Sequence, residues 1–187
     1  DGSCNVVDDR PQPRELVGLS VVRCEQRAQV SVPDARAPAG GAVVDDVGVG
    51  VVEVLRVVTK PGDTILINSP VYPNFYTWCI ETHLEHIDVP LTQSPEQVNG
   101  SNWILDWDGI EKAYASGIKA HLISNPHNPL GRVYTRDELS RLAELAKKHK
   151  VYLLSDEIHA PLSYDAKTFT PFLAVSDVAK EVGIIIT

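Results

Sequence analysis

Short apolar runs recur from Val47 to Thr187, alternating with stretches of helical periodicity, and three of them run directly into polar clusters. The runs are Thr64–Asn68 (TILIN), Leu84–Val89, Ala120–Ser124 (AHLIS), Val151–Ser155 (VYLLS) and Gly183–Thr187 (GIIIT). Runs of this length, apolar on both faces, are the pattern of strands covered on two sides. Helical periodicity falls on Val51–Thr59, on Tyr72–Thr82, on a stretch capped by Asp106 or Asp108 and reaching Ser116, and on the residues after Thr135. Strands alternating with helices give βα units and a parallel sheet. The expected fold class is α/β, a three-layer αβα arrangement with a mostly parallel sheet.

Local signals set several boundaries. Pro61-Gly62-Asp63 ends the first helix, and Gly117 ends the one before AHLIS. Thr135-Arg-Asp-Glu138 is a capping box, in which hydroxyl and carboxylate satisfy the free amides of a helix start. The helix that follows carries Leu139, Leu142, Ala143 and Ala146 on one face, with Lys147, Lys148 and Lys150 at its negative end. Leu91–Asn102 is polar and reads as a loop, with turn signals at Ser94-Pro95 and Asn99-Gly100.

The chain changes character near its first third. Before Lys60 there is no Lys, His, Ile, Phe, Tyr or Trp, and the basic residues are all Arg (Arg10, Arg14, Arg23, Arg27, Arg36, Arg56). With Pro11, Pro13, Pro33 and Pro38 and so little large apolar surface, residues 1–46 are expected to be poorly ordered or not native coding sequence, for example a frame error in a GC-rich gene. Residues 47–187 are then the folded unit. The absence of methionine implies a fragment. A net charge of −8 gives no footprint for nucleic acid or an anionic membrane, so neither is expected as a partner. No apolar run approaches the roughly 20 residues that span a bilayer, and no secretory signal opens the chain, which points to the cytoplasm. Cys4, Cys24 and Cys79 are odd in number and widely spaced, and read as ordinary thiols.

In parallel sheets, ligands bind beyond the carboxyl ends of the strands. Three polar clusters fall there: Ser69-Pro-Val-Tyr-Pro73 after TILIN, Asn125-Pro-His-Asn-Pro129 after AHLIS, and Asp156-Glu-Ile-His159 after VYLLS. Singly, each has an ordinary explanation as packing, a turn or a solvated strand end. His83-Leu-Glu-His86 has the look of a metal motif, and His127, Glu157 and His159 can be imagined around an ion. Neither spacing puts two ligands on one helix face, and no metal site is expected.

Together the clusters resemble the fold-type I pyridoxal-phosphate (PLP) enzymes, the aminotransferase class I/II family, and within it the cystathionine β-lyase-like C–S lyase branch. The resemblance runs from about Gly48 to Thr187 on KPGD (Lys60–Asp63), SPVYPNF (Ser69–Phe75), NPHNPLGRV (Asn125–Val133) and SDEIHA (Ser155–Ala160). It implies an incomplete PLP-dependent transferase major domain. By motif position, Asp156 faces the pyridine nitrogen, Asn128 holds the phenolic oxygen and Tyr72 stacks on the ring. His159 stands where many relatives carry a second donor, a tyrosine. Gly50 and Val51 stand where relatives have a Gly-Val-Val turn whose amides open a helix toward the phosphate. In the family the strand matching Gly183–Thr187 leads into a Ser-x-x-Lys segment that supplies the Schiff-base lysine. None of the eight lysines here lies in that segment, so no catalytic residue is assigned and the fragment is expected to be inactive. The resemblance also implies an amino-acid substrate and a homodimer. His159 favours a lyase acting on cystathionine or another cysteine S-conjugate; a class I/II aminotransferase is the first alternative and a non-catalytic remnant the second.

Overall fold

In the computed structural model, residues 21–22, 46–164 and 169–187 are described. Six strands form one sheet in the order β3-β2-β6-β7-β8-β1: β1 Val21–Val22, β2 Thr64–Ile67, β3 Glu85–Asp88, β6 Ala120–Ser124, β7 Tyr152–Asp156 and β8 Gly183–Ile186. All neighbouring pairs are parallel. The helices are α1 Asp46–Val58, α2 Asn74–Glu81, α3 Trp107–Ala115, α4 Arg136–His149 and α5 Asp177–Val182. No described helix is long and apolar enough to cross a membrane.

Successive residues of each central strand enter opposite cores, which is why the runs read as apolar throughout. Ile65, Ile67, Ala120, Leu122, Leu154, Ile184 and Ile186 pack with Val51, Leu55 and Val58 of α1 and Phe75 and Trp78 of α2. Leu66, Ile123, Leu153 and Ile185 pack on the other face with Ile110 and Tyr114 of α3, Leu139, Leu142, Ala143 and Ala146 of α4, and Ala179 of α5. This is the expected three-layer αβα architecture.

The local signals correspond to observed contacts. Thr135 Oγ1 accepts from the Glu138 amide at 3.1 Å, and Glu138 Oε2 accepts from the Thr135 amide at 2.9 Å, completing the capping box of α4. Asp106, not Asp108, caps α3, accepting from the Gly109 amide at 3.0 Å. Lys147 and Lys148 pair with Glu181 and Glu111.

Two elements differ from expectation. Leu91–Asn102 is not a loop: β4 (Thr92–Val98) and β5 (Ser101–Ile104) form an antiparallel hairpin. Its turn is Asn99-Gly100, with φ of 49° and 76°, the two left-handed residues that a tight hairpin needs. The strand character was hidden because β4 is largely exposed and polar, so it shows no apolar alternation. The first helix starts at Asp46 rather than Val51. Of residues 1–46, Val21–Val22 adds an edge strand beside β8, at Ile185 and Ile186; apart from these and Asp46, the expectation for that segment lies outside the described residues.

Candidate functional site

The order of strands reverses beside β2. The chain passes from β2 outward to β3, then returns to place β6 on the other side of β2 and continues to β7 and β8. Such a reversal leaves a crevice beyond the carboxyl ends of the two strands, because their connections depart in opposite directions. The loops after β2 and β6 flank it, and the turn after β7 lies next along.

The β2 loop is held from both sides. The Ser69 amide donates to Asp88 Oδ1 at 3.0 Å, and Asp88 Oδ2 accepts from Tyr76 Oη at 3.3 Å. The Tyr72 amide donates to the Asn128 carbonyl at 3.1 Å, joining this loop to the next. The half-buried Tyr72 ring meets Trp78 edge-on with centroids 6.3 Å apart, and its hydroxyl accepts from Asn74 Nδ2 at 3.0 Å.

The β6 loop is held by its own side chains. Asn125 is fully buried; its Oδ1 accepts from the Tyr134 amide at 3.1 Å, and its amide donates to the Asp156 carbonyl at 2.9 Å. The Asn128 amide donates to Ser124 Oγ at 3.2 Å, and Ser124 pairs in register with Asp156 of β7. Arg132 is wholly buried, ion-paired with Glu138 and seated 4.7 Å over the Tyr134 ring. The capping box of α4 therefore also anchors the far end of the loop.

The third cluster closes the row. Asp156 is 5% exposed, and its Oδ1 accepts from the Ile158 amide at 3.2 Å. Glu157 is 2% exposed; its Oε1 accepts from Ser155 Oγ at 3.0 Å and from the Phe172 amide at 2.8 Å. Burial pushes the Glu157 carboxyl up to about 7, with the charge of Asp156 adding to the rise. His159 and Asn128 line one cleft of about 470 Å³, together with Asn99, His127, Leu162 and Tyr164. A smaller depression of about 240 Å³ between Arg56, Lys60 and His83 contains none of the expected residues.

The structure thus places Tyr72, Asn128, Asp156 and His159 beyond the carboxyl ends of β2, β6 and β7: Tyr72 joins Asn128 by a backbone hydrogen bond, Asn128 joins Asp156 through Ser124, and His159 shares a cleft with Asn128. Gly50 and Val51 lie inside α1 rather than at its start. Because α1 begins at Asp46, their amides lie beyond the helix's open first turn, where each is committed to the carbonyl four residues earlier. Val51 is also fully buried. The start of α1 is nonetheless beside the row, since a Cβ on Gly48 would lie 3.3 Å from Trp78 Nε1. Among the described residues no three metal-ligating side chains converge, and His83 and His86 stand apart from the clusters.

Comparison with known proteins bears on the family and the fold. The model of the aminotransferase class I and II family matches residues 44–187. The chain belongs to that family. A Mycobacterium tuberculosis protein named "Putative cystathionine beta-lyase" is 41% identical over 142 residues, 72% of this chain and 33% of its own length. Kynurenine–oxoglutarate transaminase 3 of Mus musculus is 34% identical over 111 residues, 58% of this chain and 24% of its own. The PLP-bound C–S lyase of Staphylococcus hominis superposes with a TM-score of 0.62 at 30% identity, over 69% of this chain and 31% of that one. The chain therefore spans about a third or less of these relatives, which include both C–S lyases and aminotransferases. Structural neighbours with PLP bound identify the cofactor of the fold.

Three residues near the row carried no separate signal in the sequence. Asn99 reaches the cleft because its turn folds back, its Nδ2 donating to the Val133 carbonyl at 3.1 Å. Arg132 and His121 read as ordinary loop and strand residues; their burial with polar partners is visible only in three dimensions.

Proposed function

We propose that this chain is the cofactor-binding core of a PLP-dependent carbon–sulfur β-lyase acting on cystathionine or related cysteine S-conjugates. The observation carrying the reading is the meeting of Tyr72, Asn128, Asp156 and His159 at the strand-order reversal, in a chain 41% identical to a protein named as a cystathionine β-lyase. The donor set fits the heteroaromatic ring. It offers a desolvated carboxylate, an amide beside the cleft, an aromatic face and an imidazole. At the phosphate end Gly50 and Val51 fall within α1, past its first turn.

When bound, PLP supplies an electron sink for charge developing at the substrate Cα. The task of the protein is to hold that ring in one protonation state and one plane. Asp156 would retain the proton on the ring nitrogen; at 5% exposure, water competes little for its carboxylate, which strengthens a charge-assisted hydrogen bond. Asn128 would donate its side-chain amide to the phenolic oxygen, with its main chain already fixed by Ser124 and Tyr72. The Tyr72 ring, oriented by Trp78 and Asn74, would cover the face of the cofactor. His159 would meet the ligand across the cleft it shares with Asn128. An aminotransferase is the second reading, favoured by the mouse transaminase among the relatives. An amino-acid substrate, homodimeric assembly and a cytoplasmic location belong to the same proposal.

The complete enzyme supplied with PLP should be yellow, reducible by borohydride, and should release pyruvate from cystathionine. Asp156→Ala should abolish turnover while leaving the far-UV circular dichroism unchanged. Near-normal turnover in that variant would remove Asp156 from its role. Product formed only when a keto-acid acceptor is present would replace the lyase with a transaminase.

A further inference from the structure

Behind the two loops lies a buried polar chain that the proposed function does not use. His121 of β6 is wholly buried, with Nδ1 2.8 Å from the Tyr114 hydroxyl of α3 and Nε2 2.6 Å from Asn68 Oδ1 at the end of β2. The Asn68 amide is oriented independently, because its Nδ2 donates to the Val89 carbonyl at 2.9 Å. Its Oδ1 is therefore an acceptor, so His121 Nε2 carries the proton and Nδ1 accepts from Tyr114. One neutral tautomer satisfies all three side chains. Burial supports that state, taking the His121 imidazole down to about 3.

The main chain of Asn68 carries the connection onward. Asn68 precedes Ser69, where the loop after β2 begins, while β6 runs from His121 to the start of the Asn125–Pro129 loop. His127 is 2% exposed and precedes Asn128, whose carbonyl accepts from Tyr72. Helix α3, strand β6 and the end of β2 are thus tied in series through residues with little access to water.

We infer that Tyr114, His121 and Asn68 form a positioning relay that sets the Asn125–Pro129 loop against the Ser69–Pro73 loop, with His121 the positioning residue for Asn128 and Tyr72. The inference rests on reading those loops as the cofactor cradle. Removing the His121 imidazole would leave Asn68 Oδ1 and the Tyr114 hydroxyl buried without partners, a penalty relieved by rotation of Asn68 and displacement of the main chain that enters the Ser69–Pro73 loop. A core histidine that only fills space would transmit nothing to the loop.

The test uses the chain itself and N-phosphopyridoxyl-L-alanine, a stable reduced adduct that needs no Schiff-base lysine, with affinity read by fluorescence titration. His121→Leu should bind the probe about tenfold more weakly. His121→Gln, whose amide keeps a donor facing Asn68, should recover most of that loss. Leu142→Ala, a fully buried change in α4 outside the relay, should lower the thermal midpoint yet leave affinity unchanged. Wild-type affinity in His121→Leu would overturn the relay, as would an equal loss in Leu142→Ala. Should His121→Leu not fold, Tyr114→Phe removes only the hydroxyl and should still weaken binding; unchanged affinity there also overturns the proposal. If the unsubstituted chain does not bind the probe, the cofactor reading fails and the relay is judged separately by NMR. The Tyr72 amide resonance, whose N–H donates to the Asn128 carbonyl, should then shift and exchange faster in His121→Gln or Tyr114→Phe, and an unchanged resonance refutes the relay.

Discussion

Replacing Glu157 with glutamine should make the protein more stable above neutral pH and leave it nearly unchanged in acid. Burial raises the Glu157 carboxyl from an ordinary value of 4.5 to about 7. A carboxyl whose folded pKa lies above its unfolded one binds more protons when folded, so its contribution is fully present below about pH 4.5 and is lost as pH rises through 7. The difference of about 2.5 units corresponds to roughly 3 kcal/mol of stability lost across that window. Glutamine resembles the protonated acid and keeps Oε1 as acceptor for Ser155 Oγ and the Phe172 amide. Urea unfolding followed by tryptophan fluorescence, at steps from pH 5.5 to 8, should show the two proteins diverging upward, with Glu157→Gln ahead by up to about 3 kcal/mol at pH 8. Equal stability at pH 8, or a difference that does not change with pH, would refute the reasoning: the charged carboxylate would then be as well accommodated as the neutral acid.

Two further stability predictions follow from the same contacts. Thr135→Ala should cost about 1 kcal/mol in urea unfolding, as loss of a helix cap does, whereas Glu138→Ala should cost about 3–5 kcal/mol because it also strands the wholly buried Arg132; equal losses would show the ion pair contributes nothing beyond the cap. Gly183→Ala should lower stability by about 1–3 kcal/mol, since its Cβ would fall 2.3 Å from Phe172 Cε1 and 2.5 Å from the Ala179 carbonyl oxygen, and an unchanged thermal midpoint would show that this corner yields freely.

Much of the architecture was legible because burial on both faces leaves a local mark. TILIN, AHLIS, VYLLS and GIIIT are strands with ends displaced by at most a residue, and the apolar face of α4 is the one its spacing indicated. Where that mark was absent the reading failed. β4 is mostly exposed and polar, so nothing in its spacing distinguished a strand from a loop. The start of α1 was misplaced because Gly48 and Gly50 interrupt the helical pattern before Val51.

The three polar clusters were legible as strand ends, and the family motifs named the residues in them. Their grouping around one ring followed from the resemblance and not from spacing along the chain. Apolar runs, a capping box and turn residues act over a few positions, so the sequence by itself determined which segments are strands, which helical faces are buried and which polar residues terminate each strand. Which strand lies beside which is decided by hydrogen bonds and packing between residues far apart along the chain. Only the tertiary structure could show β6 inserted next to β2, Tyr72 bonded to Asn128, and His121 turned from an ordinary strand position into a buried link between them.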